Sequence, residues 1–141
     1  MILYAESSAV LAWLLLEPAG SCVETLLAAA ERIVASDLTL LECDRAIHRA
    51  VAMGRVSQAA ANQLALDLAT TTAAWQIVQL LPAIVERARQ RFPQEPIRSL
   101  DALHVSSALH AKLRSPDIHL LSLDSRVRRV AESVGLQLVP A

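Results

Sequence analysis

Short apolar runs of strand length alternate with helical segments along all 141 residues of the chain, and no other feature restricts the fold as much. Ile2-Leu3-Tyr4-Ala5 reads as a buried strand, and Glu6-Ser7-Ser8 breaks it. Ala9 to Leu16 reads as a short buried helix, stopped by Glu17-Pro18-Ala19-Gly20, and Ser21 to Arg32 as a second helix. A strand at Ile33-Val34-Ala35 leads into a helix over 38–53, with Ser36 and Asp37 as caps and Gly54 as terminator. Ser57 caps a helix over 58–73, Trp75 to Leu80 is β-like, and Pro82 sits in the first turn of a helix running to Arg91. After the loop Phe92-Pro93-Gln94-Glu95-Pro96, Ser99 is the expected N-cap of a helix ending near Lys112. A strand over 118–121, a helix over 124–134 closed by Gly135, and a strand over 136–139 complete the chain. The alternation predicts one α/β domain over residues 1–141, a three-layer sandwich with a mainly parallel central sheet and helices on both faces.

In such sheets ligands bind outside the carboxyl ends of the strands, and acids gather in the sequence at those positions. Glu6 follows the first strand, and Asp124 follows the strand 118–121. Asp101 falls in the first turn of its helix. Glu42 follows the apolar pair Leu40-Leu41 and is expected to face inward, whereas Asp44 and Arg45 are expected in solvent. Capping or complementing a helix dipole explains each acid alone. Four carboxylates at one sheet edge repel one another, and a divalent cation relieves that repulsion. Mg²⁺ or Mn²⁺ with hard oxygen ligands suits phosphodiester hydrolysis.

Four segments carry a family resemblance: Met1-Ile2-Leu3-Tyr4-Ala5-Glu6-Ser7-Ser8-Ala9-Val10, Leu40-Leu41-Glu42-Cys43-Asp44-Arg45-Ala46, Leu100-Asp101-Ala102-Leu103-His104 and Leu121-Ser122-Leu123-Asp124. In this order and spacing they resemble PIN-domain proteins, and among those the VapC-type toxin ribonucleases of bacterial toxin–antitoxin pairs. The resemblance implies Mg²⁺- or Mn²⁺-dependent cleavage of an RNA substrate. It implies that Glu6, Glu42, Asp101 and Asp124 form an acidic metal pocket and that Ser8 assists through its hydroxyl. It also implies a homodimer blocked by a cognate antitoxin protein. The family's first acid is normally Asp, whereas this chain has Glu6. The extra methylene lengthens the arm, while Mg²⁺ demands near-ideal octahedral geometry. Hence the alternative reading is a catalytically weakened or inactive PIN-like binding or regulatory protein. On the sequence alone, Glu6→Asp is expected to strengthen metal binding and cleavage.

Composition narrows the field further. The chain is 54% hydrophobic and 19% charged, which suggests that a partner or second copy covers some apolar surface. Net charge is −1, so no global basic field advertises nucleic-acid binding. The cations are nearly all Arg, which suits bidentate phosphate contacts. Arg87, Arg89, Arg91 and Arg98 read either as a solvated face or as a patch tracking phosphates toward the acids. His104, three residues after Asp101, reads as a packed or supporting histidine. Trp13 and Trp75 read as core or interface, and with 3% aromatic residues base stacking is not the expected mode of recognition. Cys22 and Cys43 lack metal-ligand spacing and read as reduced thiols. No Gly-rich loop follows a strand, which argues against a nucleotide-binding doubly wound domain. The apolar run 9–16 lacks a basic flank and is too short for a membrane span, so the expected protein is cytoplasmic and not membrane-bound.

Overall fold

The computed structural model describes residues 1–141. Its elements run β1 (Ile2–Ala5), α1 (Ser7–Leu14), α2 (Gly20–Ala29), β2 (Arg32–Ser36), α3 (Asp37–Ala52), α4 (Gln58–Thr72), β3 (Gln76–Val78), α5 (Pro82–Arg89), α6 (Ser99–Lys112), β4 (Ile118–Leu121), α7 (Ser125–Ser133) and β5 (Gln137–Val139). The strands form one five-stranded sheet in the order β3-β2-β1-β4-β5. Every pairing is parallel, with Tyr4 of the central strand opposite both Val34 and Leu120.

A parallel sheet must be covered on both faces, so its strands carry apolar residues in both directions. Ile2 and Tyr4, with Val34, Ile118 and Leu120, point to the face packed by α5, α6 and α7. Leu3 and Ala5, with Ile33 and Leu121, point to the opposite face, under α1, α2, α3 and α4. The period-2 alternation therefore serves two cores rather than a core and solvent. Trp13 and Trp75 both pack against the second of these layers.

The order of strands determines where a site can form. Growth from β1 through β2 to β3 uses crossovers on one face, and growth from β4 to β5 uses the other. Crossovers of a single hand require that change of face where the direction reverses. The reversal lies between β1 and β4, and a crevice opens there beyond their carboxyl ends. Glu6 leaves β1 at that point, its N–H donating to Leu121 O of β4 at 3.0 Å.

Several boundaries differ from the sequence reading for local reasons. Helix α1 spans Ser7–Leu14 rather than 9–16, because Glu6 itself caps it and accepts the Ser8 N–H. Ser99 is the first residue of α6, not its cap. The Glu95 carboxylate accepts the N–H groups of Phe92 and Ile97, cinching the loop so that extended Arg98 becomes the flanking residue. Trp75 precedes β3, and Gly20 opens α2. Gly54 and Gly135 end helices with φ of 69° and 79°, as expected of left-handed terminators.

Gly20 is required by a close approach. A Cβ built there lies 2.4 Å from the Ala12 carbonyl oxygen of α1. Since the obstacle is backbone, α1 and α2 must separate to admit a side chain. Gly20→Ala is expected to cost about 1–3 kcal/mol, as overpacking does, measured by urea denaturation; unchanged stability would show that the helix pair moves apart freely.

Candidate functional site

Four helices begin around the crevice. The chain passes from β1 into α1 and from β2 into α3 in one layer, and from β4 into α7 in the other, where α6 also presents its first turn. Ser36 caps α3 by accepting the Thr39 N–H, and Thr39 Oγ1 donates to Ala5 O at 3.1 Å, tying α3 to the end of β1. The next turn of α3 presents Glu42. Glu6, Ser8, Glu42, Asp101 and Asp124 all line one cavity of about 360 Å³, with Ser7, Arg98, His104 and Arg126 among its other walls. The inward orientation of Glu42 and the exposure of Asp44 and Arg45 agree with the sequence reading.

Glu6 is 3% exposed and fully engaged. Its Oε1 accepts from Ser7 Oγ at 2.7 Å and from Ser8 N at 3.1 Å. Its Oε2 accepts from Ser122 Oγ at 2.7 Å and from Ser8 Oγ. Ser8 Oγ in turn accepts the N–H groups of Leu123 and Asp124 at 2.9 and 3.1 Å, and Ser122 Oγ also accepts that of Asp124. Ser8 therefore does more than assist locally: it joins the start of α1 to the loop that delivers Asp124.

The other acids are less committed. Glu42 Oε1 is held by His104 Nε2 and lies 3.0 Å from Ser7 Oγ, whose single hydrogen it shares with Glu6 Oε1. A carboxylate only accepts, so His104 Nε2 carries the hydrogen. Burial pushes the Glu42 pKa up, but the His104 hydrogen bond and charge, with Ser7, outweigh it and leave the carboxyl below its ordinary 4.5. Asp124 caps α7, Oδ1 accepting the N–H groups of Arg126 and Val127, while Arg126 Nη2 donates to Oδ2 at 3.2 Å. Burial raises its pKa, and the Arg126 contacts and the cap together hold it below 3.8. No hydrogen bond reaches the Asp101 carboxylate, although Arg98 and Arg126 line the same cavity. Burial, reinforced by the charge of Asp124, raises it above 3.8.

Sequence reasoning placed His104 as a supporting residue, and the structure brings it into the site. It is 1% exposed, 3.7 Å from Glu6 Oε1 and bonded to Glu42. Glu6, Glu42 and His104 present ligand-type atoms all within 4.8 Å of one another. Ser7, Ser122 and Arg126 were missed. The signal for Ser122 was its place two residues before Asp124; Ser7 and Arg126 had no signal beyond lying one and two residues after an acid. Of the two readings of the Arg cluster, the continuous patch leading to the acids is not formed. The Arg87 guanidinium lies 4.2 Å over the Phe92 ring, and Arg89 pairs with Glu86 at 3.4 Å. Of the four, Arg98 alone lines the acid cavity.

The donor set fits a divalent cation: hard carboxylate oxygens line one cavity, and Asp101, beside Asp124, accepts no hydrogen bond and is offset only by the more distant charges of Arg126 and Arg98. Two predictions follow from this geometry. Glu6→Gln and Glu6→Asp should each destabilise the fold by about 1–3 kcal/mol, because buried serine donors lose their acceptor. Wild-type stability retained by both in urea would show that these hydrogen bonds are dispensable. For Asp101 the raised pKa means that the folded chain binds the extra proton in the window above 3.8. Stability from this group is present below 3.8 and lost as pH rises through the folded value. Without metal, Asp101→Asn should therefore raise the melting temperature at pH 7, and the gain should vanish on acidification below that window.

The comparisons bear on this architecture. The sequence profile of the PIN domain family matches residues 3–133. No curated protein matches the chain significantly. Among solved structures, that of VapBC2 from Rickettsia felis, bound to a promoter DNA fragment, superposes with a TM-score of 0.66 at 16% identity, covering 98% of this chain and 97% of that one. VapC20 of Mycobacterium tuberculosis, a toxin that cleaves the sarcin–ricin loop, gives 0.66 at 16% identity, with 95% of each chain covered. A Pyrobaculum aerophilum protein gives 0.61 at 17% identity, covering 99% of this chain and 84% of the other. At these identities the superpositions speak for the fold, and they agree with the all-parallel sheet and its two helical layers. With the family profile spanning nearly the whole chain, the protein belongs to the PIN domain family.

Proposed function

We propose that this chain, as one PIN unit over residues 1–141, is a divalent-metal-dependent endoribonuclease of the VapC toxin type. The observation that carries the reading is the convergence of Glu6, Glu42, Asp101 and Asp124 from four elements onto one cavity at the strand-order reversal. Structural likeness to VapBC2 and VapC20 supports the toxin assignment.

Asp101, Glu42 and Asp124 would hold Mg²⁺ or Mn²⁺, and Glu6 adds its charge from behind. Asp101 offers both oxygens, and Glu42 offers Oε2 because His104 and Ser7 occupy Oε1. Such an ion, when bound, activates water and stabilises negative charge on a phosphodiester. The chain's own residues prepare the place. His104 fixes the Glu42 rotamer by donating from Nε2, and Ser8 and Ser122 fix the Asp124 backbone by accepting its N–H. Ser8 thus acts by positioning, through Glu6 and Asp124.

A cognate antitoxin and a second copy of the chain are the proposed protein partners, and the cytoplasm the proposed location. Exposed Leu16, at 89%, and Leu66, both beside Trp13, support a covered apolar surface. No helix is long and apolar enough to cross a membrane. One observation favours a second reading, a PIN-like binding or regulatory protein without catalysis: all the donors around Glu6 are already satisfied by its carboxylate, so it reaches a cation only by giving some up.

Cleavage of single-stranded RNA with Mg²⁺ or Mn²⁺ separates the two. We expect cutting that chelation abolishes and that Asp101→Asn lowers by about a hundredfold or more. Binding of metal without any cutting would establish the second reading, and cutting that survives chelation would refute a metal-dependent site.

A further inference from the structure

A second, smaller cavity of about 220 Å³ adjoins the acid cavity. Its walls are Pro96, Ile97, Arg98, Asp101, Arg126 and Val130. Arg98, Asp101 and Arg126 line both cavities, so the two share a wall of side chains. We propose that Arg98 and Arg126 form a phosphate subsite there, taking a phosphodiester group of the RNA strand next to the one at the acids. The proposal rests on the nuclease reading and names how that site holds its substrate.

A polyanion approaching Glu6, Glu42, Asp101 and Asp124 is repelled. One divalent cation offsets half of those four charges, and two guanidinium groups match the other half. Arg98 and Arg126 are the arginines lining this cavity, and no lysine does. Their guanidinium groups also remain available. Arg98 makes no ion pair and no side-chain hydrogen bond. Arg126 directs Nη2 at Asp124 Oδ2 and keeps the rest of its fork free. Compare Arg128, which is committed to the carbonyls of Ser122, Val139 and Pro140 and is a structural tie.

The place in the fold suits a phosphate. Arg98 is the residue flanking the N-terminus of α6, and Arg126 lies in the first turn of α7, so two positive helix ends face the cavity. Pro96, Ile97 and Val130 supply the apolar part of its walls. Arginine's planar fork can hold two phosphate oxygens at once.

Arg126 also links the two cavities. It is paired with a proposed cation ligand, Asp124, at 3.2 Å, and lines the same wall as Asp101, so its positive charge lies beside both acids. Removing it makes the acids more attractive to a cation while removing a phosphate contact. Opposite effects on the two ligands distinguish a subsite from a mere counter-ion of Asp124 or a structural partner of α7.

The test uses two probes on the full chain. Mn²⁺ binding is measured calorimetrically without RNA for wild type, Arg98→Ala, Arg126→Ala and Arg126→Lys. RNA binding is measured by fluorescence anisotropy, with a labelled mixed-sequence single strand of about a dozen nucleotides. It is done in an Asp101→Asn background that keeps the probe intact. We expect Arg126→Ala to tighten Mn²⁺ binding and to weaken RNA binding about tenfold. Arg98→Ala should weaken RNA binding similarly and leave Mn²⁺ binding no weaker. Each should flatten the slope of log affinity against log salt by about 0.7. Arg126→Lys should restore the salt slope but only part of the affinity, and Arg55→Ala, just past the C-terminus of α3, should change neither. RNA affinity and salt slope unchanged in both Arg→Ala variants overturn the subsite, and leave the nuclease reading intact if wild type cuts RNA with metal. Loss of Mn²⁺ and RNA binding together in Arg126→Ala also overturns it, as a structural role would do. If wild type neither cuts nor binds RNA, the nuclease reading falls and the subsite with it.

Discussion

The buried carboxylate of Glu6 is the constraint on which the site depends. An ionised group at 3% exposure is tolerable only with its lone pairs occupied. The chain satisfies it with Ser7, Ser8 and Ser122, drawn from both sides of the central strand pair. Because Ser8 and Ser122 also accept the Asp124 N–H, the same network sets the start of α7. Ser7 extends it to Glu42, and Glu42 to His104 on α6. One charge thereby connects α1, α3, α6 and the β4–α7 loop. The longer arm of Glu, which looks like a defect beside the Asp usual in this family, lets the carboxylate reach these donors while it caps α1.

The acids are held against their mutual repulsion by three different means. Glu6 is surrounded by hydroxyl and amide donors. Glu42 has a histidine, and Asp124 has an arginine and a helix N-terminus. Asp101 has only the weak help of its own helix dipole and the more distant charges of Arg126 and Arg98. It is the residue whose ionisation costs the fold most and whose oxygens are freest. Functional groups are commonly drawn from such strained members of a site, where stability and activity oppose each other.

Much of this was legible in the sequence, for reasons that differ by element. The strands were readable because parallel strands in a two-sided core are short continuous apolar runs. Gly54 and Gly135 marked helix ends because only glycine takes their backbone conformation cheaply. Glu42 was separable from Asp44 by its apolar neighbours. What failed was local chemistry with a tertiary cause. Ser99 is a good cap by residue type, but the Glu95 turn places the helix start elsewhere. Arg87 belongs by spacing to a basic stripe, but Phe92 folds back beneath it.

The sequence by itself determined the alternation of strands and helices, hence the layered fold, and the placing of four acids at strand ends and helix starts. Those follow from periodicity and capping, which act over a few residues. Only the tertiary structure decided which oxygens are spent and which are free. The partners of Glu6 come from residues as far along the chain as Ser122, and His104 meets Glu42 across two helical layers. No local spacing encodes such meetings, because they are consequences of the strand order β3-β2-β1-β4-β5 and of the reversal it places between β1 and β4.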